Sequence, residues 1–145
     1  DVGYPVEFGS LHENKLIEAF EKIQREAHKK NLPVILWAYP RGKKIKNDAS
    51  REVMAYSARA GLELGADIVK IKYNDNVNDL KWAVESAGRC KVVIAGGIKQ
   101  NEKKFLKQTQ EIMKTGVIGL AIGRNVWQSK NPLEISKKLK WIIKN

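Results

Sequence analysis

The feature that most constrains this chain is a repeated switch between two hydrophobic periods. Short β-branched runs alternate with longer amphipathic stretches along the whole sequence. Residues 13–30 space Leu16, Ile17, Phe20, Ile23 and Ala27 as one helical face, with charges between them. Asn31 and Pro33 are expected to stop that helix, and residues 34–39 (VILWAY) read as a buried strand. A polar loop over 40–50 precedes a second helix reaching about Gly65, and 67–73 (DIVKIKY) is the next strand. The unit then repeats as helix 77–87, strand 91–95, helix 101–115 and strand 117–122, with Gly116 expected at the C′ position of its helix. A helical turn near 125–129 and a last helix from Pro132 to about Lys144 complete the series. The opening DVGYPV reads as one further strand.

Strands that alternate with helices of this length imply parallel βαβ units with right-handed crossovers, an α/β fold. Two arrangements compete. An open doubly wound sheet suits 145 residues, whereas a closed (β/α)8 barrel needs about 250. As a barrel, the chain would therefore be a part that lacks the first three strands. No low-complexity segment or linker-like break interrupts residues 1–145, so a single domain is expected.

Composition removes several function classes. No apolar run approaches the ~18 residues of a membrane span, and no signal-peptide pattern opens the chain, so no membrane partner is expected. Position 1 is Asp, which places the expected start of the reading frame further upstream. Cys90 is the only cysteine, so no intrachain disulfide can form and a reducing, cytoplasmic setting is expected. His12 and His28 are the only histidines and neither lies in a close His/carboxylate cluster, so no dedicated transition-metal site is expected. The net charge of +11 would suit nucleic acid, an anionic surface or phosphorylated substrates. Lys103, Lys104, Lys107 and Lys114, however, have the spacing of a solvated helix face. Aromatic residues are not interleaved with a basic stripe, so nucleic acid is not the expected partner.

Strand 67–73 carries the most chemistry. Alternation puts Ile68, Lys70 and Lys72 on one face and Val69 and Ile71 on the other. A parallel strand is normally apolar on both faces, so two lysines on one face need an account. Inside a barrel they would point inward near the catalytic end. There burial and a neighbouring cation both disfavour an ammonium, which leaves a neutral amine able to attack a carbonyl. The other account is a lysine paired with a carboxylate or lying on an exposed edge. Strand 34–39 offers a matching face of Ile35, Trp37 and Tyr39. A phenol there can move protons and an indole can wall a pocket, or the two rings can simply be core. Two glycine turns follow the last two strands, at Gly96–Gly97 and at Gly123–Arg124. Turns in that succession suit a phosphate.

Four segments, in this order and spacing, resemble the archaeal-type class I fructose-1,6-bisphosphate aldolases, the DhnA-type family. They are LPVILWAYPRGKKIKN (32–47), GLELGADIVKIKY (61–73), the AGG turn (95–97) and IGRNVWQ (122–128), and the likeness extends over nearly the whole chain from Val2. The resemblance implies the C-terminal part, about five β/α units, of a TIM (β/α)8 barrel. It implies that Lys70 forms a Schiff base with a sugar-phosphate ketone, that Tyr39 transfers protons and that Trp37 lines the reacting centre. Arg41, Gly96, Gly97, Gly123 and Arg124 would hold substrate phosphates, without a metal or other cofactor. Lys72 receives no separate role beyond a possible influence on Lys70. The implied assembly is a homo-oligomer, or a complex with a complementary N-terminal half-barrel carrying the family's remaining pocket-lining strands and an acidic residue. A related synthase using the same lysine in a transaldol reaction towards aromatic amino-acid precursors is the nearest alternative. An inert barrel fragment is another.

Overall fold

The computed structural model describes residues 1–144. Its elements in chain order are β1 (Val2–Glu7), α1 (Glu13–Lys29), β2 (Val34–Tyr39), α2 (Arg51–Glu63), β3 (Ile68–Ile71), α3 (Val77–Ser86), β4 (Lys91–Ala95), α4 (Glu102–Met113), β5 (Gly119–Ala121), α5 (Arg124–Trp127) and α6 (Pro132–Lys144). The five strands form one sheet in the order β1-β2-β3-β4-β5, and all neighbouring pairs are parallel. That order decides between the two expected architectures. A doubly wound sheet reverses its strand order at a switch point. Here each crossover steps to the next strand in the same direction, so right-handed connections place the helices on one face, as in a barrel wall.

The core lies between that face and the helices. Leu36, Val69 and Val92 pair across β2, β3 and β4, Ile71 pairs with Ile94, and all are essentially buried. Full burial of each such side chain is worth roughly 1.5–3 kcal/mol. Phe20 of α1, Met54 and Ala58 of α2, and Leu80 and Ala83 of α3 complete the cluster. Gly61 lets α2 sit directly on β3, since a Cβ there would lie 2.6 Å from that of Val69. A separate cluster of Phe105, Ile135 and Leu139 fastens α6 to α4.

The helix ends explain the boundaries. Asn31 takes φ +55, its N–H donates to His28 O at 3.0 Å, and the Leu32 N–H donates to Ala27 O at 3.0 Å. This is a Schellman ending for α1. Ser50, Asn76 and Asn101 accept backbone N–H bonds at the starts of α2, α3 and α4. Helix α4 stops at Met113, two residues before the expected end, so Gly116 with φ +93 lies one position beyond C′. Two strands are also shorter than expected. β3 covers 68–71, its pairing with β4 ending at Ile71, and β5 covers only 119–121. Lys103, Lys104, Lys107 and Lys114 are all exposed, as expected of a solvated face.

Candidate active site

The sheet face opposite the helices carries the candidate site. Strand register sets Pro5, Trp37, Lys70, Val93 and Gly119 in one row across all five strands. Trp37 and Lys70 are thus cross-strand neighbours on the face that alternation assigned them. The Lys70 Nζ lies 5.3 Å from the centre of the Trp37 ring and 5.8 Å from that of Tyr39. It has no hydrogen-bond or ion-pair partner among the described residues. Trp37 is 36% exposed, and its indole lies across the bare backbone of Gly3, where a Cβ would meet the ring at 2.7 Å.

Lys72 behaves differently. Its ammonium pairs with the Asp48 carboxylate. Of the two lysines, one matches the ion-pair account and the other is left with a free amine. The Lys72 charge is offset locally by Asp48, so it does not stand as an isolated cation beside Lys70. The same pair ties the 40–50 loop to the end of β3.

That loop is fixed at its start by a close backbone crossing. The Gly42 N–H donates to Phe8 O at 3.0 Å, and a Cβ on Gly42 would lie 1.7 Å from the Gly9 carbonyl carbon. Ile45 packs over Gly9 from the same loop. Arg41 is consequently held beside the site, its guanidinium 4.6 Å above the Tyr39 ring.

The other wall consists of the two glycine turns. The Gly96 N–H donates to Ala121 O at 3.2 Å, and a Cβ on Gly96 would lie 3.1 Å from Ile122 Cα, so the turns lie against each other. Gly97 takes φ +62, a conformation that favours glycine, and stands open to solvent. Tyr39, Arg41, Lys70, Gly96, Gly97, Gly123 and Arg124 all line one cleft of about 470 Å³, together with Lys72 and Trp127. Trp37 lies beside this cleft and is joined to it through Lys70.

Three neighbours escaped the sequence reading. Asp48 holds Lys72. Asn125, 4% exposed, bonds the loop after β4 from the turn after β5. Glu7 stands in register with Tyr39 on the same face, an exposed carboxylate with no ion-pair partner among the described residues. Its place at the end of the opening strand was the only signal available for it. Among the described residues, no group of three or more His, Cys, Asp or Glu side chains is placed to hold a metal ion, and no helix is long and apolar enough to cross a membrane.

Parallel strands in sequential order, helices on one face and a cleft at the C-terminal ends of the strands define part of a (β/α)8 barrel. Residues 2–129 match the family model described as DeoC/LacD family aldolase, and the chain belongs to that family. It is 43% identical over 143 residues to the class 1 fructose-bisphosphate aldolase of Thermoproteus tenax, covering 98% of this chain and 54% of that protein. It is 35% identical over 142 residues to 2-amino-3,7-dideoxy-D-threo-hept-6-ulosonate synthase 1 of Archaeoglobus fulgidus, covering 98% of this chain and 52% of that one. A solved archaeal fructose-1,6-bisphosphate aldolase, with its catalytic lysine covalently bound to the carbinolamine intermediate of the substrate, superposes with a TM-score of 0.94 at 40% identity. That match covers 99% of this chain and 57% of the solved one. The chain spans about half the length of the curated relatives it matches.

Proposed function

We propose that this chain is the part of a class I fructose-bisphosphate aldolase that bears the Schiff-base lysine, Lys70. The observation that carries the reading is the unpartnered Lys70 amine, set between the Trp37 and Tyr39 rings and facing a cleft walled by two glycine turns. The greater identity to the bisphosphate aldolase than to the hept-6-ulosonate synthase favours aldol cleavage over the transaldol alternative.

In this reading the neutral Lys70 amine adds to the substrate ketone carbon, giving a carbinolamine. Tyr39 gives its phenol proton to the carbinolamine hydroxyl, which departs as water and leaves a protonated imine, an electron sink, beside the Tyr39 phenolate. Tyr39 accepts the proton of the hydroxyl on the far side of the scissile bond. The carbon–carbon bond then breaks, its electron pair enters the imine as an enamine, and the aldehyde departs. Tyr39 returns its proton to the enamine carbon, and water hydrolyses the protonated imine, its released proton going back to the Tyr39 phenolate, to free dihydroxyacetone phosphate and the neutral Lys70 amine. Arg41, Gly96, Gly97, Gly123 and Arg124 hold the phosphates, and Trp37 walls the reacting carbon. The step sequence needs no metal.

We further infer one domain over residues 1–145, a cytoplasmic setting, and either a homo-oligomer or a complementary N-terminal half-barrel as partner. The test is cleavage of fructose 1,6-bisphosphate by this chain joined to the barrel segment its longer relatives carry. Released dihydroxyacetone phosphate and glyceraldehyde 3-phosphate, lost on Lys70→Ala, support the proposal. Absence of triose phosphate from a folded protein overturns it.

A further inference from the structure

The two glycine turns come from different strands, yet one buried side chain joins them. Asn125 begins where the second turn ends, and its amide reaches back across the sheet to the first. Its Nδ2 donates to Gly96 O at 2.7 Å and to Ile98 O at 3.0 Å, while its Oδ1 accepts the Gln100 N–H at 2.8 Å. Both amide protons and one acceptor position are therefore spent on the backbone of a single loop, on either side of Gly97. A buried side chain that satisfies three backbone groups holds their loop in one arrangement.

We infer that Asn125 is a positioning residue that sets the Gly96–Gly97 and Gly123–Arg124 turns as one phosphate-binding unit. The inference rests on the phosphate role proposed above for those turns. The chemistry requires an amide. An aspartate of the same shape has no donor when ionised, so it would face two carbonyl oxygens at the present 2.7 and 3.0 Å and drive the loop away. It would also place a negative charge behind the turn that receives an anion. Lys70, by contrast, is positioned by β3 and by its strand neighbours Trp37 and Val93.

The test compares the unsubstituted protein with Asn125→Asp at pH 8 in two measurements. One is the dissociation constant for inorganic phosphate, by titration calorimetry. The other is borohydride trapping of dihydroxyacetone, a ketone without phosphate, on Lys70. The expected result is phosphate affinity weakened by about tenfold or more, as the loss of buried hydrogen bonds predicts, with trapping unchanged to within about twofold. Asn125→Ser, which keeps one hydroxyl donor, is read the same way if the aspartate variant fails to fold. Unchanged phosphate affinity in a folded variant overturns the inference and leaves the aldolase reading standing. Equal losses of phosphate binding and dihydroxyacetone trapping overturn it as well, since they indicate a general disturbance of the barrel wall. An unsubstituted protein that traps dihydroxyacetone but binds no phosphate removes the phosphate role of the turns, and the inference with it.

Discussion

Gly42 has no room for a single added carbon. A Cβ would lie within 2.1 Å of three backbone atoms of Gly9 and Ser10, and backbone cannot rotate aside as a side chain can. Gly42→Ala should therefore separate the loops after β1 and β2 and cost about 1–3 kcal/mol, the range for overpacking. Urea unfolding checks this, and an unchanged midpoint contradicts it. The cysteine illustrates the opposite, inert case: burial pushes the Cys90 thiol up to about 11, so it stays neutral and unreactive at working pH. At this scale alternation was a good guide. It placed Lys70, Trp37 and Tyr39 on one face because a strand's period of two is strict. It could not find Asp48 or Asn125, whose partners lie 24 and 29 positions away along the chain. A loop carboxylate or a post-glycine asparagine has no local mark that reveals such a partner.

Among the elements, the starts of β2 and β3 are joined to the end of α1 by one carboxylate. Asp67 Oδ2 accepts the Val34 N–H and meets the His28 ring Nε2, both at 2.8 Å, while the other ring nitrogen meets the Gln24 amide at 3.0 Å. Burial pushes the Asp67 carboxyl upward, but the bonds from Val34 and His28 outweigh it, and the group lies below the ordinary carboxylate value. A depressed carboxyl stabilises the fold above its unfolded pKa of about 4 and loses that contribution as pH falls through its lower folded value. Asp67→Asn should thus unfold at a lower temperature than the parent at pH 7, with the difference shrinking near pH 3. Thermal unfolding at both pH values tests this, and equal midpoints at pH 7 contradict it. The order of elements was legible because hydrophobic periods of 3.6 and 2 are hard to confuse over these lengths. The strand ends were not. Val117, Ile118 and Ile122 continue the apolar run on both sides of β5, and Lys72 and Tyr73 extend the strand-like alternation past β3, where the ladder has already stopped. Hydrogen bonds to a neighbouring strand, rather than residue type, decide those boundaries.

For the whole molecule, alternation implied parallel βαβ units but left an open sheet and a barrel wall in competition. The unreversed strand order decides for the barrel, and no local pattern encodes that order. The consequence is a face that a closed barrel would enclose, here carrying Trp37, Tyr39, Lys70 and Lys72 in partly exposed positions. Of the +11 charge, the lysines of α4 face solvent, while Arg41, Lys70, Lys72 and Arg124 line the cleft and suit an anionic substrate. The account as a whole depends on which amine reacts, and one measurement addresses that directly. The chain, joined to the barrel segment its longer relatives carry, is incubated with fructose 1,6-bisphosphate or dihydroxyacetone phosphate, reduced with borohydride, digested and mapped by mass. The account predicts a substrate-derived mass on the peptide carrying Lys70, absent after Lys70→Arg and retained after Lys72→Arg. A mass gain at Lys72 in place of Lys70, or none at either lysine in a folded protein, contradicts it.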